Sequence, residues 1–336
     1  MGLFNFAQDV AIDLGTANTL IYIKGQGIVL SEPSIVALHR NTRKVLAVGH
    51  EAQQMHERTH KDIETIRPLK DGVIADFEVA EQMIRGLIRK VQKTWTSSIR
   101  RMVVCVPSGI TEVEKRAVRD SAEHAGAKQV FLIDEPMAAA IGIELNVAEP
   151  VGNMIVDIGG GTSEIAVIAL SGIVVDESIR VGGDEFDEAI MQYFRRNHNM
   201  LIGQRTAERI KCEIGSAVEL PQELEISIRG RNLVSGIPKI HTVTSEDVRE
   251  AIKDGVQQIT AAVVRCLERT PPELGSDVLE RGIMLTGGGA LLKGIDQHIR
   301  QRVDLPVFVA DDPLTAVVRG TGRVLEDIDS YRRVLT

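Results

Sequence analysis

Aromatic residues are scarce in this chain, 3% of 336 residues with a single tryptophan, and there are only three cysteines. Cys105, Cys212 and Cys266 lie far apart, which argues against a disulfide framework or a cysteine-rich zinc site. They read as buried small hydrophobic side chains in a reducing cytoplasm. No charge-free apolar stretch approaches the roughly 18 residues that would cross a bilayer. No basic, apolar leader precedes Lys24, so a cytoplasmic location is expected. A basic excess is missing as well: the formal net charge is −8, and no nucleic-acid partner is expected. Two common nucleotide signatures, the P-loop G-x-x-x-x-G-K-S/T and the dinucleotide G-x-G-x-x-G, do not occur.

What is present is a device used twice. Asp13-Leu14-Gly15-Thr16-Ala17-Asn18-Thr19 and Asp157-Ile158-Gly159-Gly160-Gly161-Thr162-Ser163 each place an Asp before a Gly/Thr turn between two apolar strands. The flanks repeat too, with Val10-Ala11-Ile12 matching Met154-Ile155-Val156, and a third strand following each pair. A repeat this long implies a duplicated domain, since solenoid periods run about 20 to 50 residues. Two related lobes facing each other across a cleft are expected. In each turn glycine lets backbone amides approach an anion, a hydroxyl adds a donor, and the Asp can hold magnesium through its waters. A third run, Thr286-Gly287-Gly288-Gly289-Ala290, lies between a strand and the helical stretch Leu291 to Arg302, where bare backbone would admit a flat base.

Helical patterns alternate with these strands, so each half is expected to form α/β layers. Ala80, Met83, Ile84, Leu87, Ile88 and Val91 share a helix face, and Thr111 with Glu114 forms a capping box. Asp134-Glu135-Pro136 reads as a helix start. Further helices open near Gly183 and at Ser245. Two insertions, about 34–73 and 184–239, read as small subdomains.

The Asp-Gly-Thr loops, the late glycine run and Asp134-Glu135-Pro136-Met137-Ala138-Ala139-Ala140 resemble the actin/Hsp70/sugar-kinase superfamily. Ile66 to Asp76 and Gly182-Gly183-Asp184 resemble signatures of the MreB family of bacterial actins, which shape rod cells. The resemblance spans essentially the whole length. It implies an actin-like (ribonuclease H-like) α/β fold of duplicated domains, each a mixed sheet flanked by helices, with a nucleotide cleft between them. Domain I would be 1–145 plus 315–336, with subdomain IB at about 34–73; domain II would be 146–314, with IIB at about 184–239.

By the same resemblance, Gly15, Thr16, Ala17 and Asn18 would hold the β-phosphate side, and Gly159, Gly160, Gly161 and Thr162 the outer phosphates of ATP or ADP. Asp13 and Asp157 would hold hydrated Mg2+, while Gly287, Gly288, Gly289 and Ala290 would back the adenine. Glu208 and Lys211 would reach ribose and base; without the family they read as a surface ion pair. Glu135, aided by Thr162, would activate water for a slow ATPase coupled to polymerisation, although a carboxylate at a helix start is also favoured by the helix dipole alone. The implied partners are the chain itself in filaments of paired protofilaments, an anionic membrane surface, and elongation proteins such as RodZ, MreC and MreD that serve peptidoglycan synthesis.

No acidic residue falls between Glu81 and Glu112, where Arg85, Arg89, Lys90, Lys93, Arg100 and Arg101 flank Trp95. A basic patch around an exposed aromatic suits anionic lipid, a buried tryptophan being the alternative. Leu3, Phe4 and Phe6 offer a second membrane hook, or pack on their own domain. The location implied is peripheral, on the inner face of the cell membrane. His56-Glu57-Arg58-Thr59-His60 formally matches the zincin H-E-x-x-H but lacks apolar periodicity around it and is discounted. Of the rival readings, an Hsp70-like chaperone would need a peptide-binding domain for which this length leaves no room. A sugar kinase would need a base aimed at a hydroxyl.

Overall fold

A computed structural model describes residues 8–56, 58, 60–92 and 98–336. The chain divides into two compact units. One holds the chain through Val151 together with Ile168–Asp176 and Leu314–Thr336; the other holds Gly152–Val167 and Glu177–Pro313.

The first unit is built on a five-stranded sheet in the order Ala127–Asp134, Ile99–Val106, Gln8–Leu14, Asn18–Ile23, Gly27–Pro33. The first three of these run parallel, and the last two join through antiparallel hairpins. Helix Phe77–Val91 covers one face. Its start is set by Asp76, whose carboxylate accepts the Val79 N–H at 3.1 Å. Met83, Ile84, Leu87 and Ile88 then pack on Val10, Ile12, Met102 and Val104, each burial contributing about 1.5–3 kcal/mol. The capping box of Thr111 and Glu114 opens helix Glu112–His124 as the spacing predicts.

Helix Ala316–Glu326, which has two glycines in its middle, crosses helix Glu135–Gly142. The glycines are the reason the crossing is possible. A Cβ on Gly142 would overlap the Ala316 carbonyl, and one on Gly320 would overlap the Ala138 carbonyl.

The second sheet repeats the first in order: Gly172–Ile179, Ser163–Ala169, Asn153–Ile158, Ile283–Thr286, Val307–Val309. In both sheets the third, second and first strands of the repeat are followed by two parallel strands supplied after long connections. In the second unit, helix Gly183–Asn197 packs on helix Ser245–Arg269, with Phe186 seated over Gly255.

Each unit carries a small antiparallel sheet. Val36–His39 pairs with Val45–Val48 and Ile63–Ile66 over a core of Ile35, Ala37, Ala47 and Ala52. Met200–Leu201 pairs with Glu225–Asn232, which forms a hairpin with Pro238–Thr244.

Two expectations are corrected. Cys212 is exposed, on the outer side of helix Gln204–Ile214, whereas Cys105 and Cys266 are buried. Leu291 to Arg302 is not one helix: a 3-10 turn Gly288–Leu291 gives way to extended Leu292, and the α-helix starts at Ile295. Lys293 is drawn aside into a bridge with Ser216, its carbonyl accepting the Ala217 N–H at 2.8 Å.

Candidate functional site

In the first unit the loop after strand Gln8–Leu14 is held by contacts from distant sequence. Ser34 Oγ donates to the Gly15 carbonyl at 2.6 Å, and the Ser34 N–H donates to the Ala17 carbonyl at 2.9 Å. Thr16 Oγ1 accepts the Gly72 N–H at 3.1 Å. A Cβ on Gly15 would lie 2.7 Å from the Asn18 carbonyl oxygen, so the tight turn excludes a side chain there.

Asp13, Cys105 and Glu135 gather where the three parallel strands end. The Cys105 S–H donates to Asp13 Oδ1 at 3.2 Å. Burial, then the charges of Asp13 and Glu135, push that thiol well above its ordinary range, so it is a hydrogen-bonding group and not a nucleophile. Glu135 opens its helix with Pro136 in the first turn.

In the second unit the glycine loop is clasped by the next helix. The Gly183 N–H donates to the Gly159 carbonyl at 3.0 Å and the Asp184 N–H to the Gly160 carbonyl at 2.8 Å. Ser163 Oγ donates to the Val181 carbonyl at 2.7 Å, and Thr162 is buried. Gly182 must be glycine here, since a Cβ would lie 2.7 Å from the carbonyl oxygens of both Gly159 and Gly160.

Asp157 pairs across the sheet with Thr286, at the head of the third glycine run. Gly287, with φ +78°, and Gly289 fold that run tightly over Ile158, so packing accounts for both glycines. Burial pushes the Asp157 carboxyl up to about 6. Neither Asp157 Oδ1 nor Thr286 Oγ1 completes a hydrogen bond among the described residues.

Lys211 is not a surface partner of Glu208. Its Nζ donates to the Gly183 carbonyl at 2.8 Å and pairs with buried Asp187 at 2.8 Å. Burial drives Asp187 up to about 6, Lys211 pulls it down, and Glu208 adds to the rise. Asp157, Gly159–Thr162, Gly183, Asp187, Lys211, Glu208 and Gly287–Ala290 thus form one connected set. Asp187, Ser34 and Cys105 were missed from sequence because their partners are remote and nothing local marks them.

Magnesium keeps most of its waters and takes one or two carboxylates plus phosphate oxygens. A buried, unsatisfied Asp157 oxygen beside a glycine loop fits that requirement. His56 and His60 do not fit a metal: helix His50–Met55 ends before them, His56 Nδ1 bonds Thr65 Oγ1 at 2.7 Å, and His60 pairs with Asp62 at 3.1 Å. Among the described residues no cluster of three or more His, Cys, Asp or Glu could hold a metal ion.

Comparison with known proteins decides the family. The model of the MreB/Mbl protein family matches residues 7–333. The chain belongs to the MreB/Mbl family. It is 54% identical over 331 residues to the cell shape-determining protein MreB of Escherichia coli (strain K12), covering 97% of this chain and 95% of that protein. It is 51% identical over 324 residues to the cell shape-determining protein Mbl of Bacillus subtilis (strain 168), covering 96% and 97%. The crystal structure of MreB 5 of Spiroplasma citri bound to AMPPNP superposes with a TM-score of 0.92 at 39% identity, covering 96% of this chain and 97% of that one. The fold is the actin-like α/β fold of this MreB family.

Leu3, Phe4, Phe6 and Trp95 lie outside the described residues. Three of the cations in the acid-free stretch of the sequence are paired with carboxylates. Arg85 pairs with Glu81 at 2.7 Å, Lys90 with Glu32 at 3.0 Å, and Arg100 binds Asp9 through two contacts of 2.9 and 2.5 Å. Among the described residues no helix is long and apolar enough to cross a membrane.

Proposed function

We propose that the chain binds ATP with magnesium, hydrolyses it slowly, and assembles into filaments of paired protofilaments on the inner face of the cell membrane, where they scaffold wall synthesis. The observation that carries the nucleotide half is the buried, unpartnered Asp157 oxygen beside a clasped Gly/Thr loop. Spiroplasma citri relatives crystallised with AMPPNP and with ADP support the same reading. The filament and wall half leans on kinship with cell shape-determining proteins. Division into domain I (1–145 with 315–336) and domain II (146–314) belongs to this proposal, as do elongation partners of the RodZ, MreC and MreD kind.

Backbone N–H groups of Gly15 to Asn18 and of Gly159 to Thr162 bind phosphate oxygens, where dipoles are already fixed. Asp13 and Asp157 would be the residues to hold the ion through its waters, and Cys105 orients the Asp13 carboxylate. When bound, magnesium neutralises charge on the phosphates. Lys211, fixed by Asp187, reaches the nucleoside with Glu208, and Gly287 to Ala290 back the base. Glu135 aligns the attacking water and takes its proton, with Thr162 helping to hold that water. Changing Glu135→Ala is expected to leave ATP binding within about twofold and to slow phosphate release by about 100-fold or more, measured by single-turnover release. Normal release would remove Glu135 from this role.

Trp95→Ala is expected to weaken sedimentation with anionic vesicles several-fold while leaving nucleotide binding intact. Electron microscopy with magnesium and ATP, with and without such vesicles, tests the whole reading. Filaments that need nucleotide and lie on lipid support it. Soluble monomers that turn over ATP point instead to a chaperone-like or kinase-like ATPase.

A further inference from the structure

Two imidazoles meet where the small sheet of the second unit rests on its helices. His198 caps the C-terminal end of helix Gly183–Asn197, and His241 lies in strand Pro238–Thr244. Their ring centroids are 4.5 Å apart. Phe194, fully buried, joins them: it stacks on His198 at 5.1 Å and meets His241 edge-on at 6.1 Å. Tyr193 adds a ring 5.7 Å from His198. Uncharged imidazoles pack in such a cluster as ordinary flat rings, and histidine is the side chain whose charge changes nearest neutral pH.

Among the described residues one carboxylate faces this pair. Asp247 Oδ1 lies 3.8 Å from His198 Nε2, a buried nitrogen that completes no hydrogen bond. Asp247 is already committed. Its Oδ1 accepts the Tyr193 hydroxyl at 3.1 Å, and its Oδ2 accepts the Thr244 N–H and hydroxyl at 3.0 and 2.9 Å in the capping box that opens helix Ser245–Arg269. Burial works against its charge, but the bonds to Thr244 and Tyr193 outweigh burial and hold the carboxyl below its ordinary value. Lys239, on the strand of His241, adds like charge, while Glu250 bears on Tyr193. On the facing strand the residue opposite His241 is buried Ile228. Burial, then His198 and Lys239, hold His241 below the ordinary histidine value, with Asp247 opposing.

We propose that His198 and His241 form a proton-operated joint, closed as a packed ring cluster at neutral pH and opened on acidification, when two imidazoliums share one carboxylate and strand Pro238–Thr244 lifts from helix Gly183–Asn197. Neither nucleotide nor membrane enters the inference, so it stands apart from the function proposed above. The sign follows from linkage. The unfolded chain takes up its proton first as pH falls through about 6.5, so the stability that His241 contributes is complete above that pH and declines below it. The raised carboxyls Asp157 and Asp187 act in the opposite direction. The helix that carries His198 clasps the glycine loop at its other end, through the Gly183 and Asp184 N–H groups. An acid-sensitive fastening thus sits at one end of an element whose other end holds residues 159–162.

The test uses the full chain without nucleotide. Hydrogen exchange at pH 7.5 and 5.5, expressed as protection factors, is expected to show the amides of residues 239–244 losing about tenfold or more in acid relative to those of Asn153–Ile158. His198→Phe with His241→Phe keeps flat rings in the cluster and removes the protons, and is expected to abolish that difference. Proton NMR of the imidazole C2–H signals should place His241 below the ordinary value in the wild type and closer to it in His198→Phe, since the two rings titrate as a pair. Relative protection that does not change with pH in the wild type overturns the proposal. A loss that the double variant shares also overturns it and places the acid-sensitive group elsewhere. A His241 that titrates alike with and without His198 removes the coupling on which the joint depends. Should the double variant fail to fold, the wild-type exchange and the His198→Phe titration decide the matter between them.

Discussion

Replacing Asp157 by asparagine is expected to abolish magnesium-dependent nucleotide binding and, in the nucleotide-free protein, to raise stability at neutral pH. Both effects come from one buried carboxyl. Burial lifts it from an ordinary 3.8 to about 6, so the folded state keeps a proton that the unfolded chain gives up. Stability therefore falls as pH rises from about 4 through 6 and stays lower above that window, by on the order of 3 kcal/mol for a shift of this size. Bound magnesium would recover that cost by giving the ionised oxygen a partner.

Asparagine has the same shape, carries no charge and cannot draw in the ion. Calorimetric titration with ATP and magnesium should show binding weakened at least about 100-fold, or about 2.7 kcal/mol. Thermal melts between pH 5 and 8 should show a shallower decline with pH than wild type. Part of the slope remains, because Asp187 is also raised to about 6 and contributes with the same sign. A variant that binds nucleotide normally would remove Asp157 from the site, and an unchanged melting slope would mean that its charge is relieved some other way.

Gly320→Ala is expected to be among the most damaging single-methyl changes in the first unit. The added Cβ would overlap the Ala138 carbonyl where helices Ala316–Glu326 and Glu135–Gly142 cross, and backbone cannot yield as a side-chain end can. A cost of about 3 kcal/mol or more is expected, with a drop in melting temperature on the order of 10 °C. Gly275→Ala is the matched control. Gly275 lies in helix Pro272–Arg281 with nothing within 4 Å of the added carbon, so the higher helix propensity of alanine should stabilise by up to about 1 kcal/mol. Equal melting temperatures for the two variants would mean the helices separate easily. Because the helix of Glu135 is one partner in the crossing, ATP turnover by Gly320→Ala reports on how far the disturbance spreads.

Features encoded locally were legible. The helix of Ala80, Met83 and Leu87 follows from their spacing, the Thr111–Glu114 box from its residues, and the repeat of the sheet from the two Asp-Gly-Thr turns. Features that depend on distant partners were not. Helix Ala316–Glu326 carries Gly320 and Gly322 in its middle, and their use shows only in the fold, where Gly320 lets the backbone of helix Glu135–Gly142 pass close and Gly322 makes room for the Tyr22 ring. Lys211 looked like the partner of Glu208 one turn away, but the deeper charge, Asp187, takes it. The cations around Trp95 looked concentrated because the acids that neutralise Lys90 and Arg100, namely Glu32 and Asp9, come from other strands. Leu291 to Arg302 had helical spacing, yet a bridge from Lys293 to Ser216 bent it at Gly294.

The packing of helix Ala316–Glu326 sets an order of events during synthesis. The first unit's sheet is complete in sequence by Asp134, yet that helix packs against its strands and Leu132 exchanges backbone hydrogen bonds of 3.3 and 2.9 Å with Thr336. Nascent domains ordinarily close in the order in which they emerge. Here most of the second unit is spelled by one uninterrupted stretch, Glu177–Pro313, and can mature while the earlier unit still lacks its last helix. The unit begun first is finished last, so a ribosome-bound chain exposes the apolar face that Val317, Val318 and Leu325 will later cover, and that interval is when the protein most needs shielding from its neighbours on the same message.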